Sequence, residues 1–68
     1  NFRINAISPG PIITPPDKPN NYLEQTAKAT LLQKNGTVDQ IIKAIQFLIE
    51  SASITGQNIF VDGGKHLI

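Results

Sequence analysis

Residue types and spacing suited to gripping a ligand are concentrated in Asn5-Ala6-Ile7-Ser8-Pro9-Gly10-Pro11-Ile12, with Thr14 just beyond. Pro9-Gly10-Pro11 closes an apolar run, because proline donates no ladder hydrogen bond. In a doubly wound sheet, ligands bind outside the carboxyl ends of the strands, and Pro9-Gly10 stands at such an end. Gly10 has no side chain, so the backbone there can come close to a flat ring. Pro-Gly is also ordinary turn punctuation. On spacing alone, a strand-ending turn with no ligand is the commoner reading.

The remaining chemistry-bearing residues are sparse. The run Ile54-Thr55-Gly56-Gln57-Asn58-Ile59-Phe60-Val61-Asp62-Gly63-Gly64 holds no paired carboxylates, no nucleophile with a base and no metal-ligand set. Asp62 reads as a turn-former rather than an acid catalyst, since Asp is a preferred turn residue. His66 is the single histidine. It reads as an exposed tail residue, because a lone histidine lacks an orienting partner, and by itself it forms no zinc site. No residue is assigned to a metal. Asn35-Gly36-Thr37 matches a glycosylation acceptor, but the same residues already account for a helix stop and a helix start.

Composition narrows the classes. Sixty-eight residues make at most one domain, and a chain this short has a marginal core without a staple. The chain has no cysteine, and its net charge is +1 from six Lys and Arg against five Asp and Glu. The basic residues are scattered, so there is no patch for nucleic acid. The apolar runs are too short to span a membrane. Absence of cysteine fits a reducing compartment.

These residues require elements to hold them. Phe2 to Ser8 reads as a strand without clean alternation, as in a parallel sheet covered on both faces. Pro15 to Asn20 reads as a loop stiffened by its prolines. Asn21 can cap a helix from Tyr22 to about Gln33, with Glu24 as the reciprocal partner. Its apolar stripe, Leu23, Ala27 and Leu31, is weak, so this helix is a candidate for motion. Lys34-Asn35-Gly36 stops it, with Asn or Gly available for a left-handed cap. Thr37 opens a second helix, to about Ser51, with Gln40 at the capping-box position. Val38, Ile41, Ile42, Ala44, Ile45, Leu48, Ile49 and Ala52 share an arc of about 160°, a wide face for packing on a sheet. Asp39 and Lys43 are spaced as an i,i+4 pair on the opposite side, from which Phe47 also projects. Asn58 to Val61 reads as a second strand and Asp62-Gly63-Gly64 as a turn. Strand, helix and strand in this order point to a parallel sheet.

Three motifs in order, Asn5 to Ile12 with Thr14, Phe47-Leu48 at the end of a helix, and Ile54-Thr55-Gly56-Gln57 with Val61-Asp62-Gly63-Gly64, resemble the C-terminal quarter of a short-chain dehydrogenase/reductase. The resemblance covers almost the whole chain. The short Pro15–Leu32 insert and the ending Asp62-Gly63-Gly64-Lys65-His66-Leu67 are similar to the pteridine-reductase-like branch. The fold implied is α/β, the C-terminal part of a Rossmann-type doubly wound parallel sheet in the order strand, loop, two helices, strand. Residues 1–68 would then be a C-terminal fragment of a single NAD(P)-binding Rossmann domain. The resemblance implies cofactor contacts at Pro9, Gly10, Pro11, Ile12 and Thr14. The backbone at Ile12 would meet the nicotinamide carboxamide, and Thr14 would hold the carboxamide or the pyrophosphate.

The same resemblance implies an oxidoreductase that reduces a carbonyl or imine with NAD or NADP, a pteridine being one candidate substrate, cytoplasmic and homo-oligomeric. The partners implied are a small-molecule substrate and the rest of the domain, with neither nucleic acid nor membrane. No catalytic residue falls in this stretch. The family's pair is Tyr-x-x-x-Lys, in which lysine lowers the tyrosine pKa for protonation of the substrate oxygen. The one tyrosine is Tyr22, position 26 is Thr26, and Lys28 lies on another face of the helix. A glycine-rich phosphate loop is also missing, so the segment alone is expected to be inactive. The alternative is a stand-alone interaction module or split-gene remnant that binds a partner through its strand edges and apolar helix face.

Overall fold

A computed structural model describes residues 2–68. It contains β1 (Ala6–Pro9), α1 (Tyr22–Lys28), α2 (Val38–Glu50) and β2 (Asn58–Val61), followed by a 3₁₀ turn at Lys65–Leu67. β1 and β2 pair in parallel, with Ala6 opposite Asn58, Ile7 opposite Ile59, Ser8 opposite Phe60 and Pro9 opposite Val61. Successive side chains alternate between the two sides of a strand. Ile7, Ile59 and Val61 are half-buried on one side, while Ala6, Asn58 and Phe60 are exposed on the other. On the Ile7 side, α2 contributes Ile45, Leu48 and Ile49 to a shared groove of about 700 Å³.

β1 starts later than the expected Phe2–Ser8 strand because Ile4 and Asn5 meet residues 54–57 through a mixture of backbone and side-chain bonds rather than through a regular ladder. The Ile4 N–H donates to the Thr55 hydroxyl at 3.1 Å, and the Gly56 N–H donates to the Ile4 carbonyl at 2.7 Å. The Asn5 amide donates to the Ile54 carbonyl at 3.1 Å and accepts from the Gln57 N–H at 2.9 Å. One side-chain amide thus stands in for a peptide unit, having both a donor and an acceptor. The Asn5 side chain satisfies the backbone of Ile54 and Gln57, while Thr55 and Gly56 satisfy that of Ile4.

α2 forms as its local signals require. The Thr37 hydroxyl accepts from the Gln40 N–H at 3.2 Å, and the Gln40 side chain accepts from the Thr37 N–H at 3.1 Å, completing the capping box. Its other end has no basic residue in the last turn. The Arg3 guanidinium takes that place from far along the chain, donating to the carbonyls of Leu48 (2.8 Å), Ser51 (3.0 Å) and Ile49 (3.2 Å). A cation there complements the negative end of the helix dipole and satisfies orphan carbonyls. Of the apolar arc, only Leu48 is buried, while Val38, Ile42, Ile45 and Ile49 stay exposed. Phe47 is exposed too. Asp39 and Lys43 form no ion pair among the described residues; the exposed i,i+4 pair is Glu24–Lys28, at 3.7 Å.

α1 departs from expectation at both ends. Asn21 makes no side-chain cap hydrogen bond, so the Asn21/Glu24 cap is replaced by a backbone turn in which the Tyr22 N–H donates to the Pro19 carbonyl at 3.0 Å. The helix stops at Lys28 rather than near Gln33. The buried Thr30 competes for its backbone: its hydroxyl donates to the Ala27 carbonyl at 2.8 Å and accepts from the Lys34 N–H at 3.0 Å. Hydroxyl side chains end helices in this way. The left-handed residue after the helix is Gln33, with φ 56°, rather than Asn35 or Gly36. Among the described residues, no helix is long and apolar enough to cross a membrane.

Candidate functional site

Parallel pairing sends both strands out of the sheet on the same side, so Pro9-Gly10 and Val61-Asp62 emerge next to each other. The Gly10 N–H donates to the Val61 carbonyl at 3.2 Å, extending the ladder by one bond. A Cβ on Gly10 would stand 3.2 Å from Asp62 Cβ and 3.3 Å from Asp62 Cα. Gly10, expected to be bare to admit a ring, thus also has a protein neighbour on one side. The side on which its Cβ would project is bounded by Asp62, which would have to give by a few tenths of an ångström to admit one.

Beyond Gly10 the chain turns away from the sheet through Pro11, Ile12 and Thr14, each part-exposed, and Ile13, which is 79% exposed. Among the described residues, neither the backbone N–H groups of Ile12, Ile13 and Thr14 nor the Thr14 hydroxyl donates to another group. Three donors and a hydroxyl thus lie in consecutive residues, without a partner among the described residues, beyond the common carboxyl end of two parallel strands. Such groups normally find a partner when covered. Pro9 ends β1, and Gly10, Pro11, Ile12 and Thr14 follow it in an irregular stretch with a bend at Ile13. Two hollows are lined by other residues: the groove described above and a second of about 320 Å³ between the α1–α2 connection and the tail.

The tail is more organised than its sequence suggests. The buried Asp62 carboxylate accepts from the Gly64 N–H at 3.0 Å and the His66 N–H at 3.1 Å, and His66 Nδ1 lies 3.1 Å from both of its oxygens. An ionised carboxylate only accepts, so Nδ1 carries the proton. The His66 ring also stacks on Phe60, with centroids 3.8 Å apart and planes 9° from parallel. The reading of Asp62 as a turn-former agrees with this geometry. The reading of His66 as a tail residue without an orienting partner is corrected, since it has a carboxylate and an aromatic ring. The legible signal is the Asp-to-His interval of four residues, one turn of chain spanning a Gly-Gly pair.

Burial of Asp62 pushes its pKa up, but hydrogen bonds from the His66 ring, the Gly64 N–H and the His66 N–H, with the His66 charge, outweigh it and hold the carboxyl below its ordinary value. A depressed carboxyl pKa contributes stability that is present above the unfolded value and is lost as pH falls through the folded one. The tail is therefore expected to loosen in acid, below about pH 4. Amide hydrogen exchange at Gly64 and His66 measured against pH checks this. Asp62→Asn is expected to remove the acid dependence, and equal protection at about pH 3 and about pH 6 in the parent would contradict it.

Known proteins share this architecture. The family described as Enoyl-(Acyl carrier protein) reductase matches residues 1–66. A putative ketoacyl reductase of the granaticin polyketide synthase from Streptomyces violaceoruber is 33% identical over 70 residues, covering 97% of this chain and 28% of its own length. Carbonyl reductase family member 4 from Danio rerio is 39% identical over 69 residues, covering 100% of this chain and 28% of its own length. Among solved structures, FolM alternative dihydrofolate reductase 1 from Brucella suis, in complex with NADP, superposes with a TM-score of 0.89 at 33% identity, over 97% of this chain and 27% of that one. The chain thus spans little more than a quarter of the length of the relatives it matches.

Proposed function

The chain belongs to the short-chain dehydrogenase/reductase family, and from that premise we propose that it is the C-terminal segment of a single NAD(P)-binding Rossmann domain, in which Pro9 to Thr14 orient the nicotinamide. The observation that supports this reading is the set of donors at Ile12, Ile13 and Thr14 that find no partner among the described residues, just beyond the point where two parallel strands end together. Ligands of open α/β sheets bind at that end. A nicotinamide carboxamide has one acceptor and two donor hydrogens. The Ile12 N–H can serve the first, and the Thr14 hydroxyl, which both accepts and donates, can serve the second. The residues present therefore fit the group.

The bound nicotinamide supplies the hydride. The segment's own residues bind and position. The loop from Pro15 and α1, with Tyr22 at its start, border the substrate side and help to exclude water. α1 buries no residue of its own, which suits a movable wall. Likeness to an alternative dihydrofolate reductase supports a pteridine-type imine or carbonyl as the substrate class. The proton donor belongs to the rest of the domain, since Tyr22 and Lys28 stand at opposite ends of α1. The rest of the domain would cover the groove beside Ile7, Ile45 and Leu48 and pair with the free edge of β1. α2 and β2 would then complete the sheet and offer a contact between subunits.

Thr14→Ala in the intact domain tests the reading. It removes one hydrogen bond, so the Michaelis constant for the cofactor is expected to rise about three- to tenfold. Unchanged constants for both cofactor and substrate would take Thr14 out of the site.

A further inference from the structure

The geometry points to Asp62 and His66 as positioning residues of the cofactor turn: the His66 ring orients the Asp62 carboxylate, and Asp62 forms the wall against which Gly10 is seated. This rests on the reading of Pro9 to Thr14 as the nicotinamide turn. The first link is steric. Asp62 Cβ and Cα lie where a Gly10 Cβ would meet them at 3.2 and 3.3 Å, closer than most such contacts. Asp62 thus bounds the space beside Gly10, and a displacement of the Val61-Asp62 backbone reaches Gly10 through the ladder bond between them. The Gly10 N–H on the Val61 carbonyl at 3.2 Å ties the same two chain segments together.

The second link is polar. Asp62 is itself held by His66, through Nδ1 at 3.1 Å and through the His66 backbone N–H at 3.1 Å. The third link holds His66: its ring lies on Phe60, whose backbone is paired in register with Ser8 of β1. The tail turn is fastened from behind as well, because the Gly63 carbonyl accepts from the Leu32 N–H at 2.9 Å. Phe60, His66, Asp62 and Gly10 thus form a continuous chain of contacts from the open side of the sheet to the turn. Alignment of a ligand to within fractions of an ångström depends on such supporting contacts. Neither Asp62 nor His66 is needed to touch the cofactor. Their role is to hold the backbone that does.

Two substitutions at one position separate the links. His66→Phe keeps a ring to stack on Phe60 and removes the donor to Asp62. His66→Gln keeps a donor and removes the ring. In the intact domain, NADPH binding is followed by its fluorescence and melting temperature is followed in parallel. The dissociation constant is expected to rise about three- to tenfold in His66→Phe, an effect on the scale of one lost hydrogen bond, and by a smaller factor in His66→Gln, which keeps a donor to Asp62 but loses the ring stacked on Phe60. A merely structural histidine would lower the melting temperature in both variants and leave NADPH affinity unchanged, and that result overturns the proposal. If His66→Phe does not fold, Gly10→Ala probes the same contact from the other side, and parental NADPH affinity there overturns it equally. Thr14→Ala in the same titration separates the two levels. If it also leaves affinity unchanged, the reading of the turn itself has failed. If it weakens binding while His66→Phe does not, only the role of the tail has failed.

Discussion

Gly63→Ala is expected to destabilise the intact domain by about 2–5 kcal/mol, the sum of left-handed strain and overpacking. Gly63 has φ +66°, and a Cβ there would overlap the Lys34 carbonyl oxygen and stand 2.9 Å from the Thr30 hydroxyl oxygen. Both neighbours are committed. The Lys34 carbonyl oxygen lies 3.1 Å from the Thr30 hydroxyl, which is itself held by the Ala27 carbonyl and the Lys34 N–H, and Thr30 is buried. The backbone cannot retreat without breaking the Leu32-to-Gly63 bond that clasps the tail to the α1–α2 connection. Gly56 provides the control, with a similar φ of +74° and no atom within 4 Å of the position a Cβ would occupy. Gly56→Ala should therefore show only the left-handed cost, about 1–2 kcal/mol. Chemical denaturation of the two variants measures the difference. Equal losses would mean that the tail does not pack against the α1–α2 connection as described.

The second large effect concerns the segment alone. The isolated 68 residues are expected to show no cooperative thermal transition. Leu48 is the one buried apolar side chain among the described residues, while Phe2, Ile4, Ile42, Ile45, Ile49 and Phe60 remain exposed. Two strands with one helix on one side leave the other side and both outer edges uncovered, and so small a sheet is marginal in water. Burial of about 1.5–3 kcal/mol per large apolar side chain is set against about 1–2 kcal/mol per residue of ordering entropy, and too few side chains are buried to win. Circular dichroism against temperature decides the matter. A sharp transition at a concentration where the chain is monomeric would favour the stand-alone interaction module over the domain segment.

Legibility in the sequence follows the range of the interactions. β2 has the expected bounds, Asn58–Val61, and α2 begins at the expected capping box, because an apolar run and a Thr-x-x-Gln pattern act within a few residues. The parallel pairing and the α/β class follow from the order of the elements. α1 reads too long because its end is set by Thr30, Lys34 and Gly63 together, a tertiary arrangement that no helical period encodes. Phe2 to Asn5 read as regular strand because side-chain and backbone pairing across some fifty residues give the same apolar pattern. Arg3 is one more scattered cation in the sequence, and only the folding back of α2 places three carbonyls around it. At the site, the turn itself is legible, since proline and glycine punctuate the chain locally. The seat behind it is not, because the contact between Gly10 and Asp62 exists only once the two strands lie side by side.

The central claim is tested most directly by a crystal structure of the intact domain with NADP bound. The account predicts the nicotinamide carboxamide within hydrogen-bond distance, about 2.7–3.2 Å, of the Ile12 N–H and the Thr14 hydroxyl, with Gly10 still seated on Asp62. A nicotinamide bound elsewhere, with Ile12 and Thr14 facing solvent or another part of the protein, would contradict it.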